Sequence, residues 1–141
     1  MQRKHIVNGE VQGYRQKWNG NMQRGGPDGL NYPWGNVFDN SRVRGTQRLN
    51  TGEYKTADVG SYVTGMSWVG AMDMAGNVRE WTNSTYQGYP HTLSLTQTIA
   101  DPLMVLRGGS FGHSAGGLRT ASRSWNLAGK TDDSIGFRCV R

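Results

Sequence analysis

The chain has 141 residues, a net charge of +6, 35% hydrophobic residues and a mean hydropathy of −0.68. That length supports one domain with a core that needs no disulfide or metal staple, and five Trp, six Tyr and three Phe exclude a disordered composition. Twelve of the sixteen basic residues are Arg and no extended basic run occurs, so nucleic acid is not expected as a partner despite a pI near 9.8.

Cys139 is the sole cysteine, which rules out an intrachain disulfide and a CxxC metal site. The first residues lack the apolar region of a leader, and no apolar run reaches the length of a membrane span. The expectation is a soluble chain without a signal peptide and without membrane insertion. An oligomer, or carriage on a virion or cell surface as part of an assembly, is compatible with this.

Asn8-Gly9, between short apolar stretches, signals a hairpin turn. Tyr14, Trp18 and Met22 recur at four-residue spacing, so 13–23 fits either a short helix or a second strand. Residues 25–50 are rich in turn formers, with Pro27-Asp28-Gly29 as the plainest, and Tyr32, Trp34 and Phe38 are the aromatics available to pin them. Ala71–Met74 reads as a short apolar strand. Gly76-Asn77 reads as a turn, and the alternation over Val78–Thr82 predicts a half-buried strand with Trp81 inward. A Thr/Ser/Gln-rich connection runs to Thr98. Leu103–Phe111 and Ile135–Val140 complete the predicted strands. The fold class is α+β, weighted to short antiparallel strands and long irregular loops.

The last third, 105–141, interleaves two kinds of position. Leu106, Arg107, Phe111, Leu118, Arg119, Arg123, Trp125, Ile135, Phe137 and Arg138 are large and apolar or basic; most positions between them are small and polar. Apolar members such as Leu118, Ala121, Ile135 and Phe137 are expected to bury. Arg107, Arg119, Arg123 and Arg138 are expected to brace loop carbonyls and carboxylates.

Four ordered motifs carry a family resemblance: Tyr32-Pro33-Trp34-Gly35-Asn36, the stretch from Asp73-Met74-Ala75-Gly76-Asn77-Val78 to Glu80-Trp81-Thr82, Leu106-Arg107-Gly108-Gly109-Ser110-Phe111, and Ile135-Gly136-Phe137-Arg138. Together they resemble the formylglycine-generating-enzyme (sulfatase-modifying factor) family. The resemblance implies a C-type-lectin-like fold over 1–141, with 1–24 a divergent N-terminal segment. Enzymes of that family use paired cysteines just after the Gly-Gly-Ser-aromatic motif to bind copper and oxidise a substrate cysteine. Here that window, Gly112 to Leu118, holds no cysteine, so thiolate ligation of copper is chemically unavailable. His5, His91 and His113 are scattered without ligand spacing. No catalytic residue, metal or cofactor is therefore expected.

The segment from Leu106 to Arg138 is also similar to the variable region of diversity-generating-retroelement variable proteins. In these, template adenines are mutated and copied into the C-terminal part of a lectin-fold protein. The resemblance places variable slots at Gly112, His113, Ser114, Gly116, Gly117, Ser122, Ser124, Asn126, Leu127, Asp132, Asp133 and Ser134. Mutating the adenines of an AAC codon never yields Lys, Glu, Gln, Met or Trp, and all twelve slots obey that rule. Trp125, whose TGG codon contains no adenine, reads as a constant anchor in the site or as a core residue. The implied function is a non-catalytic, hypervariable binding protein, receptor- or adhesin-like, of the sort carried by a phage or virus, whose ligand is a protein or a cell-surface glycan. The alternative is an oxidase-type family member that has lost its cysteines. Exchange at Ser114, Gly116 or Asp132 is expected to move stability by no more than about 0.5 kcal/mol. Truncating Leu118 or Phe137 is expected to cost about 2–5 kcal/mol.

Overall fold

The computed structural model describes residues 25–46, 55–88 and 102–139. The expected Asn8-Gly9 hairpin, the 13–23 element and most of the connection to Thr98 lie outside these residues. The described residues hold a four-stranded sheet: β1 (Arg79–Thr85), β2 (Leu103–Arg107), β3 (Arg123–Leu127) and β4 (Ile135–Gly136), in the order β3-β2-β1-β4. β2 pairs antiparallel with β1 and with β3, whereas β4 runs parallel to β1. The sheet is therefore mixed, and the expectation of antiparallel pairing fails for its last strand. Short 3-10 turns at Asn40–Arg42 and Val63–Gly65 precede β1, and one at Ala115–Leu118 links β2 to β3.

β2 is the central support. Its Leu-Met-Val-Leu sequence favours a pleated, buried strand, and consecutive residues Val105 and Leu106 are both buried, so both of its faces are covered. β1 pairs Trp81 with Leu106 but Thr85 with Met104, so extra residues bulge out of its ladder. Thr82 Oγ1 donates to the Val105 carbonyl at 3.0 Å within that bulge. Trp81 ends half-buried there rather than fully inward.

Other local expectations shift for identifiable reasons. Ala71–Met74 is not a strand: Asp73 has φ 55°, which breaks an extended run, and its carboxylate accepts from the Gly60 amide at 2.7 Å. The strand predicted over Leu103–Phe111 stops at Arg107, because Gly108 and Gly109 both take positive φ. The last strand covers only Ile135–Gly136. Conversely, Arg123–Leu127, where the sequence suggests a brace, an anchor and slots but no strand, is a strand.

Asn77 explains why Gly76-Asn77 is so distinctive a pair. Asn77 sits at φ 62°, a conformation Asn tolerates better than most residues. Its amide donates to the Arg44 carbonyl (3.0 Å), its carbonyl accepts from the Phe111 amide (2.9 Å), and its side chain exchanges hydrogen bonds with the Ala57 backbone. One buried residue thus joins three loops, so the motif is structural.

The core gathers Tyr32, Val43, Ala75 and Leu118, with Trp34 and Phe38 packed against it. The Tyr32 ring stacks on Trp34 at 5.3 Å and tilts against Phe38 at 5.4 Å, which is how the turn-rich stretch is pinned. Leu118 is the C-terminal segment's plug in this core, 1% exposed. Ala121, by contrast, is exposed, and Ile135 and Phe137 are half-buried, so these three are not the buried props their apolar character suggests.

Candidate functional site

The scaffold residues of the C-terminal segment bind backbone, as irregular loops require. Arg107 Nη1 donates to the Ala121 and Ser122 carbonyls at 3.0 Å each. Arg138 donates to Glu80 Oε1 through Nε (2.8 Å) and Nη2 (2.6 Å), and to the Met72 and Asp73 carbonyls at 3.0 and 3.1 Å. Arg123 reaches the Gln87 carbonyl and lies 4.8 Å from the centre of the Tyr86 ring. Arg119 departs from this pattern and is exposed. Thr120 adds a further clamp, its amide donating to the Asn31 carbonyl at 2.8 Å and its hydroxyl to that of Leu30.

The twelve slots do not form one continuous patch. Ser122, Ser124, Asn126 and Leu127 lie on or beside β3, at one edge of the sheet. Asp132, Asp133 and Ser134 lead into β4, at the other edge. Three inter-strand steps separate those edges, about 14 Å. The loop with Gly112, His113, Ser114, Gly116 and Gly117 groups with the β4 side, because Arg79 connects the two. Arg79 Nη2 donates to Ser134 Oγ at 2.8 Å and lies 3.8 Å from Asp132 Oδ1, and its charge also acts on His113.

Within the loop the slots differ in freedom. Ser114 and Gly116 are exposed, and a methyl group placed on Gly116 meets nothing. Gly117 is different: a Cβ there would stand 2.7 Å from His113 Cδ2. Gly117→Ala is therefore expected to destabilise the fold by about 1–2 kcal/mol, while Gly116→Ala stays within about 0.5 kcal/mol. Paired thermal melts check this, and equal shifts would contradict it.

His113 is tied down as well. Its Nδ1 accepts from the Ser110 amide at 3.1 Å and lies 2.9 Å from Ser110 Oγ, and its carbonyl accepts from the Thr46 amide. An Nδ1 that accepts from an N–H carries no proton, so the ring is the neutral Nε2–H tautomer. Burial, and then the Arg79 charge, lower the imidazole pKa below its ordinary value. A pKa lowered in the folded state means that the unfolded chain binds the proton more readily. His113 thus contributes stability above about pH 6.5, its unfolded value, and that contribution fades as pH falls toward the folded pKa. Urea midpoints at neutral and mildly acidic pH should fall more steeply for the wild type than for His113→Asn. Parallel falls would contradict this.

On the β4 side, Asp132 Oδ1 accepts from the Ser134 amide (2.7 Å) and hydroxyl. Those bonds, led by the hydroxyl and helped more weakly by Arg79, hold its carboxyl below the usual carboxylate range. Asp132 is exposed yet engaged, unlike its exposed neighbour Asp133. Trp125 is 40% exposed, so its ring lies at the surface and not in the core. Its ring tilts against Tyr86 at 6.1 Å. Sequence reasoning passed over both Tyr86 and Arg79. Tyr86 sits alone in a polar run without a motif; Arg79's only signal was its place in an alternating strand.

Among the described residues no three His, Cys, Asp or Glu side chains are grouped so as to hold a metal ion, and no helix is long and apolar enough to cross a membrane. A shallow depression of about 310 Å³ is lined by Leu30, Trp34, Val63, Met66 and Trp68 among others, none of them a slot.

The family described as a sulfatase-modifying factor enzyme 1-like domain matches residues 17–141. The inactive C-alpha-formylglycine-generating enzyme 2 of Mus musculus is 32% identical over 129 residues, covering 83% of this chain and 38% of its own length. Hercynine oxygenase of Mycolicibacterium thermoresistibile is 34% identical over 105 residues, covering 67% of this chain and 23% of its own length. Among solved structures, Treponema denticola variable protein 1 superposes with a TM-score of 0.63 at 25% identity, over 82% of this chain and 42% of that one. PvdO from Pseudomonas aeruginosa superposes with a TM-score of 0.62 at 22% identity, over 83% of this chain and 47% of that one. The chain thus spans less than half the length of each of these relatives.

Proposed function

The chain belongs to the sulfatase-modifying factor enzyme 1-like family and has its C-type-lectin-like, formylglycine-generating-enzyme-type fold; within that family we propose a non-catalytic binding protein whose C-terminal surface is diversified. The single domain would span 1–141, with the variable region from 105 onward. The observation that carries the reading is the division of labour in that region. Leu118, Arg107, Arg123 and Arg138 hold core, carbonyls and carboxylate, while Ser114, Gly116, Asp133 and the Trp125 ring are exposed beside them. A surface that must accept changing side chains cannot depend on them for folding, and most of the folding contacts here come from the interleaved residues. The likeness to a variable protein and to an inactive relative points the same way.

The oxidase reading keeps one argument, the likeness to hercynine oxygenase. Against it stands the chemistry of the window: Gly112 to Leu118 has no thiol, and Cys139 lies exposed beyond β4. The test is sequencing of the locus and of sibling isolates. The expected result is a second, Asn-richer copy of the 107–138 coding segment near a reverse transcriptase gene, with sibling differences confined to template adenines at the slots. Siblings that differ evenly across the segment, with no second copy, would overturn the reading.

A further inference from the structure

The strand β3 places its slots on opposite faces of the sheet. By register, Ser124 and Asn126 share a face with Leu106 and Met104, while Trp125 and Leu127 share the other with Val105 and Leu103. A ligand resting on one face of the sheet meets only half of these residues. A ligand lying along the outer edge of β3 meets all of them. No strand lies beyond β3 among the described residues.

The hydrogen-bond phase shows what this edge offers. The Ala128 amide donates to the Pro102 carbonyl at 3.2 Å. Residues 128, 126 and 124 therefore turn their backbone groups toward β2, and 127, 125 and 123 turn theirs outward. Leu127 bears this out: its amide takes the Asn126 side-chain oxygen at 2.9 Å and its carbonyl takes the Lys130 amide at 3.2 Å. Both are local partners outside the sheet, so the edge is closed off at Leu127. At Trp125 the outward N–H and C=O accompany an exposed ring.

Resting on the binding reading above, we infer that β3 is a docking edge for an extended peptide segment of a protein ligand, which adds to the sheet as a further strand beside Trp125. The backbone bonds at Trp125 would supply affinity that does not depend on the slot residues. Side chains of the added strand alternate up and down, so they would read Ser124 and Asn126 on one face and Trp125 and Leu127 on the other. This gives a constant anchor and variable specificity from one five-residue strand.

The probe is a library of random linear peptides selected on the immobilised protein, the best binder then being resynthesised with one backbone N-methyl group at a time. The expected result is a loss of roughly tenfold or more at the peptide residue that pairs with Trp125 and little at its neighbours. In the protein, Trp125→Ala keeps the outward N–H, whereas Trp125→Pro removes it without touching a bond to β2. Trp125→Pro should weaken binding well beyond Trp125→Ala, with thermal melts confirming that both fold. If the proline variant does not fold, the N-methyl scan alone decides. Equal sensitivity at every peptide position overturns strand addition, as does indifference of binding to Ser124→Lys and Asn126→Lys. A library that yields no peptide overturns it too, including the case where a glycan array yields a ligand instead. Those results leave the diversified-surface reading in place, since that reading stands or falls on the sequencing of siblings.

Discussion

Leu118→Ala is expected to cost about 3 kcal/mol, the largest single loss in the C-terminal segment. Leu118 is 1% exposed and packs with Tyr32, Val43 and Ala75. Truncation removes the transfer free energy of three carbons and leaves a void that stacked aromatics cannot readily close. Two attachments limit relaxation further. The Tyr32 hydroxyl donates to the Ala115 carbonyl at 3.3 Å, and Thr120 is clamped to Leu30 and Asn31. The backbone on either side of the void is thus held in place. Chemical denaturation should show the loss as a lower midpoint with an unchanged slope. A cost below about 1 kcal/mol would mean that Leu118 does not join the slot loop to the core.

Glu80→Ala is expected to cost about 2–3 kcal/mol, although Glu80 is remote from every slot in sequence. Its carboxylate, 9% exposed as a residue, takes two donors from Arg138. Removing it leaves a partly buried guanidinium with only the Met72 and Asp73 carbonyls, and an uncompensated charge is costlier than a lost pair. Glu80→Gln keeps the shape and one acceptor, so it should lose about half as much. Arg138→Lys is not conservative, because an ammonium cannot reach three acceptors in a planar fork. The comparison is made by urea midpoints at neutral pH. Equal, small losses for Glu80→Ala and Glu80→Gln would show that solvent already screens the pair.

These two residues also show what the sequence could reveal. Arg138 was legible as a brace because it alternates with Ile135 and Phe137 at the end of a motif, and the acceptor it needs turned out to be Glu80, in another motif. The four motifs gave the fold because each marks a place where the backbone has few alternatives: stacked aromatics at 32–34, the left-handed Asn77, the positive-φ glycines after Arg107, and the β4 return. What could not be read is register and edge. The parallel sense of β4 depends on where the chain re-enters the sheet, not on its own residues. β3 did carry a period-two signal in Arg123, Trp125 and Leu127, but the slot pattern laid over it hid the strand. The environments of the proposed slots could not be read. Gly116 and Gly117 look alike in sequence, yet only one of them has room for a side chain.

On the proposed function, the C-terminal segment separates residues that fold from residues that display. A saturation scan of 105–139, read by protease resistance of the folded chain, tests it most directly. Tolerance is expected at Ser114, Gly116 and Asp133, intolerance at Leu118, Ser110 and Arg138, and intermediate losses at the anchored slots His113, Gly117 and Ser134. A scan in which the slots and the residues between them tolerate exchange equally would contradict it.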